Sequence, residues 1–262
     1  MIRTLYSAAT GMYAQQLNID NISNNLSNVN TNGFKKSQIQ FQDLLYQTID
    51  EAGVLTSAST SRPVELSIGA GVKPIATYKV FTQGNLLNTN NPLDIAIDGD
   101  GFFEIRRGDG QVFYTRDGSF RINELGQMVT SDGHFLEPDI TFPADTESIS
   151  ISPDGIVMAK LYNEEIPVQV GQIQINRFIN PAGLKSVGGN RYKQTVSSGE
   201  AMPNNPARDE MGQLTQGYLE ISNVAIVEEM VNMIVAQRGY EVNSKSIRTA
   251  EAMLETATSL KR

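Results

Sequence analysis

Apolar residues recur at every seventh position near both ends of the chain, whereas short alternating runs fill the long middle. The N-terminal row consists of Leu5, Met12, Ile19 and Leu26, with Ile22 in a companion row three positions further on. The C-terminal row consists of Ile226, Met233, Tyr240, Ile247 and Leu254. The companion rows also contain Ala8 near the start of the chain and Ala236, Ala250 and Ala257 near its end. An apolar row with an average period of 3.5 residues is typical of a helix that packs lengthwise on other helices. We therefore predict that the two terminal helices pair with each other and offer their remaining apolar area to further copies of the chain.

Polar residues weaken the companion rows, since Gln15, Glu229 and Asn243 stand where the pattern expects apolar side chains. An ordinary amphipathic helix that packs on a central domain is the alternative interpretation of each row. Assembly is favoured because both ends carry a row and each row runs for about four heptads or more.

The first helix, predicted to end near residue 32, finishes in a tract rich in asparagine that closes with Asn32-Gly33. Asparagine is a poor helix former and Asn-Gly is a strong stop signal. Two interpretations of Asn24, Asn25 and Asn28 remain open. They are either solvated residues at a frayed helix end, or members of a ladder of amides that bond neighbouring subunits.

The pattern predicts an α+β fold, with long N- and C-terminal helices paired as a coiled-coil-like domain and a central antiparallel all-β domain. The predicted segments are an N-terminal helix over 1–33, a linker or arm over 34–75, a β domain over 76–210, and a connecting segment with the C-terminal helix over 211–262. The helical part of the last segment, 222–262, would begin at Ser222 and Asn223 as N-cap residues and pair with 1–33.

The β prediction depends on short apolar runs punctuated by Asp-Gly turns, which indicate an antiparallel sandwich or distorted barrel. The strand candidates are 93–97, 102–105, 112–115, 120–122, 128–130, 149–151, 156–159, 168–170, 173–178 and 191–195. Before them, residues 34–49 suit a short strand or a helix, and residues 51–71, rich in Ser, Thr, Gly and Ala, suit an extended or loosely ordered arm.

Composition narrows the classes of partner. The chain has 262 residues, with 21 basic and 29 acidic side chains and a net charge of -8. This balance argues against nucleic acid or an anionic membrane as the main partner. No apolar run is long enough to insert in a bilayer, and the N-terminus lacks the apolar core of a cleaved signal peptide. We expect a cytosolic protein or one exported without such a signal. The absence of cysteine excludes disulfides and thiolate chemistry.

No group of residues in the sequence predicts catalysis, a cofactor or a metal. Asp94, Asp98 and Asp100 lie close together, but they fit no calcium-binding loop and are better explained as turn residues. The single histidine, His134, cannot form a histidine-based metal site alone. We therefore expect a protein that is not an enzyme.

Several ordered motifs resemble those of the bacterial flagellar rod and hook proteins. They are Ser7 to Met12, Asn21 to Lys35, Thr82 to Leu86, Pro92 to Phe103, Tyr114 to Phe120 and Gln237 to Lys245. The resemblance covers essentially the whole chain. Gly239 is a departure, since the family more often has a small residue with a side chain there.

Length and the arm favour the distal rod type of subunit over a proximal rod or hook-type subunit. The arm residues that carry this resemblance are Glu51, Gly53, Ser57, Ser59, Pro63, Gly69 and Gly71. A subunit of this type implies self-assembly into a rigid hollow helical shaft that transmits torque from motor to hook. The implied partners are further copies of the chain, the proximal rod protein, the hook protein, the rod cap and the P- and L-ring proteins. The implied location is the basal body, where the rod crosses the periplasm after export by the flagellar secretion apparatus.

A different class remains as an alternative. The helices could hold together a small oligomer of a cell-surface module whose β domain binds carbohydrate. Such a module would form a closed oligomer, whereas a rod subunit would form an open polymer.

Overall fold

The computed structural model describes residues 2–52, 55–57, 60–61, 64–162, 166–208 and 211–259. Helix α1 spans Ile2–Ser27 and helix α2 spans Ile226–Ser259. The chain divides into two compact units. A helical unit contains Met1–Leu26, Ser37–Tyr78 and Ala225–Arg262, and a β unit contains Ser27–Lys36 and Lys79–Val224. The predicted α+β class, with terminal helices around an antiparallel β domain, is confirmed.

The helical unit contains a ribbon of paired strands in addition to the helices. Its strands are β1 (Ser37–Asp43), β2 (Tyr46–Asp50), β3 (Leu55–Ser57), β4 (Thr60–Ser61), β5 (Leu66–Gly69) and β6 (Val72–Lys79). The pairs are β1 with β6, β2 with β5, and β3 with β4. The Leu44 amide donates to the Gly71 carbonyl at 2.8 Å and the Ala70 amide donates to the Leu45 carbonyl at 3.2 Å, so the first two pairs are continuous.

This ribbon decides between the two predictions for residues 34–49, because the segment forms strands and no helix. The described part of 51–71 also contains paired strands, so for those residues the extended alternative holds and the loosely ordered one does not. Gly53, Ser59 and Pro63 lie outside the described residues.

The β unit contains the remaining described strands. They are β7 (Leu86–Asn88), β8 (Ile95–Asp98), β9 (Phe102–Arg106), β10 (Val112–Thr115), β11 (Phe120–Ile122), β12 (Met128–Thr130), β13 (Phe135–Glu137), β14 (Thr146–Ile151), β15 (Ile156–Leu161), β16 (Val168–Gln172), β17 (Ile175–Arg177), β18 (Lys185–Gly188), β19 (Arg191–Lys193), β20 (Met202–Asn204), β21 (Gln213–Gln216) and β22 (Tyr218–Glu220), with a 3-10 turn at Pro181–Gly183.

Strand β9 lies inside a nine-stranded sheet in the order β11-β12-β13-β9-β10-β19-β18, to which β17 and β20 are added through β9. Strands β14, β15 and β16 form a second antiparallel sheet, and β8 pairs with β21 as β7 pairs with β22. Every strand candidate from the sequence overlaps an observed strand.

Two adjacent phenylalanines on β9 enter two different cores, because successive side chains of a strand point to opposite faces. Phe103 is fully buried and packs edge-to-face on Phe120 with the ring centroids 5.1 Å apart. Phe102 packs on Phe178, with a centroid distance of 5.7 Å, in a smaller aromatic cluster. The alternation in the sequence therefore positions β9 between two layers of packed side chains.

Of the aspartates considered as calcium ligands, Asp94 lies just before β8, whereas Asp98 and Asp100 lie at the turn that follows it. Asp94 is buried and bonds Arg121 at 3.2 Å, and Asp98 accepts a hydrogen bond from Gln83 at 3.0 Å. Gly101 has a φ of 147°, and a Cβ added there would lie 2.9 Å from the Ile175 side chain. The chain therefore needs glycine at this turn to bring β9 against β17.

Two predicted helix boundaries are wrong. Helix α1 ends at Ser27, before residue 32, because the asparagines that follow adopt turns. Helix α2 begins at Ile226, so Ser222 and Asn223 are not its caps. The Asn223 amide instead donates to the Val80 carbonyl at 2.9 Å and accepts from the Lys36 amide at 2.8 Å. It joins two passing backbone segments of the β unit.

A buried ion cluster connects the distant segments of the β unit. Lys35 Nζ lies 2.5 Å from Glu220 Oε1, and Arg116 Nη1 lies 3.5 Å from Glu220 Oε2. All three side chains are almost completely buried. Burial lowers the pKa of Lys35 and of Arg116, while the Glu220 carboxylate opposes that shift in both. The Gly84 amide also donates to Glu220 Oε1, at 2.8 Å. The Glu220 carboxylate therefore compensates the burial of both cations, which repel each other.

Replacing Lys35 tests this dependence. Lys35→Met leaves Glu220 with only the longer 3.5 Å ion pair to Arg116, and we expect it to lower the free energy of unfolding of the β unit by about 1–3 kcal/mol. Arg106→Met is the control, since Arg106 pairs with Glu137 and Asp139 at the surface and its loss should cost less than about 1 kcal/mol. Urea unfolding followed by tyrosine circular dichroism measures both. Equal losses in the two variants would contradict the role of the cluster.

Candidate assembly interface

Helices α1 and α2 run antiparallel and meet in a defined register. A Cβ added to Gly11 would lie 2.8 Å from Asn243 Nδ2, and a Cβ added to Gly239 would lie 3.3 Å from Gln15 Cδ. Asn25 Nδ2 donates to Glu229 Oε2 at 3.2 Å. Moving forward along α1 through these contacts corresponds to moving backward along α2 by equal numbers of residues. The predicted pairing of the two ends is confirmed.

The polar residues that interrupt the companion rows lie on this line of contact. Gln15 and Asn243 each lie opposite a glycine of the other helix, and Glu229 is buried against Asn25. A large polar side chain therefore faces a residue with no side chain, which lets the helices approach closely. This explains Gly239, whose cost of about 1 kcal/mol in helix propensity is offset by the room it gives Gln15.

The predicted interface residues are distributed over three levels of burial in the single chain. Ile22 and Asn25 are buried; Leu5, Met12, Ile19, Leu26, Asn28, Met233, Ile247 and Leu254 are half-buried; Asn24, Ile226 and Tyr240 are exposed. The heptad rows therefore lie at the margin of the helix pair. The companion rows, with Ala8, Ile22, Ala236 and Ala250, supply its centre.

Asn25 uses its amide inside its own chain. Its Oδ1 accepts from the Ser37 amide at 2.8 Å, and its Nδ2 donates to the Ser37 carbonyl at 2.9 Å as well as to Glu229. Asn21 Nδ2 donates to the same carbonyl at 2.8 Å. These two asparagines therefore connect α1 to β1, a role that neither interpretation of the tract included.

A stripe of large apolar side chains on α2 is uncovered within the chain. Val227, Met230, Val231, Ile234, Val235 and Val242 are each more than half exposed. At 100° per residue, the centre of this stripe lies roughly opposite Glu229 and Ala236, which face α1. Sequence reasoning missed it, although the signal was present as apolar residues four positions apart at 227, 231 and 235. An apolar stripe of this size is characteristic of a contact surface.

The ribbon also exposes apolar side chains. Leu45 is 90 % exposed, and Tyr46, Ile49, Leu66 and Ile68 are exposed as well. A two-stranded ribbon without a third layer is only marginally stable in water. The ribbon therefore presents a second apolar surface that a single chain does not cover.

Four of the predicted arm residues fall in described parts of the ribbon. Glu51 is exposed just after β2, and Ser57 ends β3. Gly69 pairs with Tyr46. A Cβ added to Gly69 would lie 3.3 Å from the ring of Tyr46. Gly71 has a φ of 124° and lies against Thr10 of α1.

Neither helix, over the residues that the structure describes, is long and apolar enough to cross a membrane.

Three family models match the chain in order. They are the flagella basal body rod protein at residues 5–35, the flagellar hook protein FlgE/F/G D1 domain at 96–159, and the flagellar basal body rod FlgEFG protein C-terminal region at 215–260. The first and last matches contain the helix pair, and the middle match contains the centre of the β unit.

Full-length relatives give the same result. The flagellar basal-body rod protein FlgG of Borreliella burgdorferi is 51% identical over 100% of both chains. The FlgG proteins of Caulobacter vibrioides and Bacillus subtilis are 44% and 41% identical, over 99% and 100% of this chain and 100% of their own lengths. The chain therefore belongs to the family of flagellar basal-body rod proteins. Within that family it is of the FlgG type, a structural subunit of the distal rod.

The close approach of the helices can be tested at Gly11. Gly11→Leu would displace Asn243 and separate the helices, and we expect it to destabilise the helical unit by about 1–3 kcal/mol. Ala9→Leu adds a large side chain at an exposed position of the same helix and serves as the control. Urea unfolding followed by far-UV circular dichroism measures both variants. The register is wrong if Gly11→Leu is no more destabilising than Ala9→Leu.

Proposed function

We propose that the chain self-assembles into a rigid hollow helical shaft, the distal rod, that transmits torque from the motor to the hook. The observation that carries this proposal is the presence of two apolar surfaces, the α2 stripe and the ribbon, that one chain leaves uncovered. Burying such surfaces against further copies is the largest source of free energy available for association.

The two surfaces are different patches, which favours an open polymer. A contact between unlike patches is heterologous, and when its rotation does not close it builds a helical filament. The paired helices would then form the inner wall of the tube. The ribbon would bridge adjacent subunits and make the shaft stiff.

The other components follow from the family. The shaft would join the proximal rod protein at one end and the hook protein at the other, grow beneath the rod cap, and turn inside the P- and L-rings. It would cross the periplasm after export through the flagellar secretion apparatus. The role is mechanical, with no catalytic step, no cofactor, no nucleic acid and no insertion in the membrane.

A charge in the α2 stripe tests the assembly. Val231→Asp places a carboxylate on a side chain that would be buried in the shaft, while leaving the contacts of α2 with α1 in place. We expect it to raise the protein concentration needed for polymerisation by about ten- to a hundredfold. Glu124→Gln, at an exposed turn of the β unit, should have little effect. Sedimentation and electron microscopy of seeded, concentrated protein provide the measurement. Unchanged filaments of Val231→Asp would count against this function.

The stiffening role of the ribbon is tested by shortening it. Replacing residues 46–69 with an Asn-Gly turn keeps β1 and β6 and closes them with a two-residue hairpin loop. We expect the shortened protein to polymerise into curved or pliable rods, because the bridges between subunits are lost. Electron microscopy gives the curvature, and the parent protein gives the reference. Straight rods from the shortened protein would show that stiffness has another source.

A further inference from the structure

The base of the ribbon is bonded to α1 at one end of β1. The Asn25 side chain both accepts from the Ser37 amide and donates to the Ser37 carbonyl, as a neighbouring peptide group would in a sheet. Asn21 donates to the same carbonyl. Asn25 is 2 % exposed, so water does not compete with these bonds.

A second attachment lies at the other end of the ribbon base. The Val72 amide donates to Thr10 Oγ1 at 3.4 Å, and a Cβ added to Gly71 would lie 2.2 Å from that oxygen. The φ of Gly71, 124°, is one that glycine adopts without strain. The backbone of the ribbon therefore touches the surface of α1 at this point.

The distance between the two attachment points is about the same along helix α1 as along strand β1. The helical rise from Thr10 to Asn25 is about 22 Å. The strand length from Ser37 to Leu44, whose amide bonds Gly71, is about 23 Å. Strand β1 therefore lies lengthwise along α1, in the opposite direction.

We infer that Asn25, Asn21 and Thr10 are positioning residues that clamp the ribbon base to α1 and so set the direction in which the ribbon projects. Asn25 also bonds Glu229 of α2, so the clamp is complete only when the two helices are paired. The pairing of α1 with α2 and the attachment of the ribbon base to α1 are therefore coupled. Only one consequence of this inference rests on the proposed function, namely that a clamped ribbon reaches a neighbouring subunit at a fixed angle.

Hydrogen exchange at individual backbone amides tests the clamp. It is measured on the full-length protein, once in dilute solution and once in seeded polymer. Asn25→Leu removes the amide while keeping the size of the side chain. We expect exchange at Ser37 to become about tenfold faster, with the same direction of change at Leu44, Ala70 and Val72. Exchange at Phe103 and Ile105 of the β unit should stay constant. Gln16→Ala, at an exposed position of α1, is the control and should change none of these rates.

Two milder variants keep the test decisive if Asn25→Leu unfolds the helical unit. Asn21→Ala removes one bond to Ser37 and should speed exchange there by about three- to fivefold. Thr10→Val should speed exchange at Val72, whereas Thr10→Ser, which keeps the hydroxyl, should restore the parent rate. The inference is overturned if the ribbon amides exchange at parent rates in Asn25→Leu, Asn21→Ala and Thr10→Val. It is also overturned if exchange in the β unit becomes faster to the same extent as in the ribbon.

The exchange data also separate this inference from the proposed function. The clamp lies within one chain, so it can be measured whether or not polymer forms. Failure of every preparation to polymerise, with exchange at Ser37 accelerated in Asn25→Leu, would contradict the shaft and leave the clamp standing. Polymer from all variants with unchanged exchange would contradict the clamp alone.

Discussion

A pair of helices can bury only one side of each partner, and this constraint governs the helical unit. The α1–α2 contact uses alanines, Ile22, glycines and four polar residues, with Gly11 against Asn243, Gln15 against Gly239 and Asn25 against Glu229. The large apolar side chains of the α2 stripe lie on the other side and remain exposed. A chain that pairs its ends in this way is folded and yet leaves a large apolar stripe exposed, as is typical of a contact surface.

In the β unit, segments that are far apart in the sequence lie side by side. Lys35, Gly84, Arg116 and Glu220 come from four separate parts of the chain and meet in one buried cluster. The first three belong to motifs that resemble the flagellar family, so one electrostatic centre accounts for several of them. The Gly33 amide also donates to the Glu220 carbonyl at 2.8 Å. The segment that follows α1 and the segment that leads to α2 are thereby joined within the β unit.

The sequence predicts the features that have a period and misses those that depend on partners. The seven-residue rows predicted the terminal helices and their pairing, and alternation predicted β9, β10, β11 and β12 within one residue of their observed bounds. Glycine in a helix indicates weakness by propensity, so the role of Gly11 and Gly239 as contact points could not be predicted from α1 or α2 alone.

Other features depend on residues far apart in the sequence. The strand pairing of the ribbon was missed because a stretch rich in Ser, Thr and Gly gives no sign of which strand it pairs with. Strand β21 was missed because Gln213–Gln216 has a single large apolar residue, Leu214. Asn25 resembled one more residue of a polar tract, and only its distance to Ser37 and Glu229 distinguishes it. In each case the missing information is the identity of a partner, which no local pattern contains.

The most direct test of assembly uses the absence of cysteine from the chain. A single Val231→Cys substitution gives a thiol in the centre of the α2 stripe, and Glu124→Cys gives one at an exposed turn of the β unit. The rate of reaction with a soluble thiol reagent is measured for each in dilute protein and in sedimented rods. We expect the thiol at position 231 to react at least about a hundredfold more slowly in rods, while the thiol at position 124 keeps its rate. Equal reactivity of the thiol at position 231 in both states would contradict burial of the stripe by neighbouring copies.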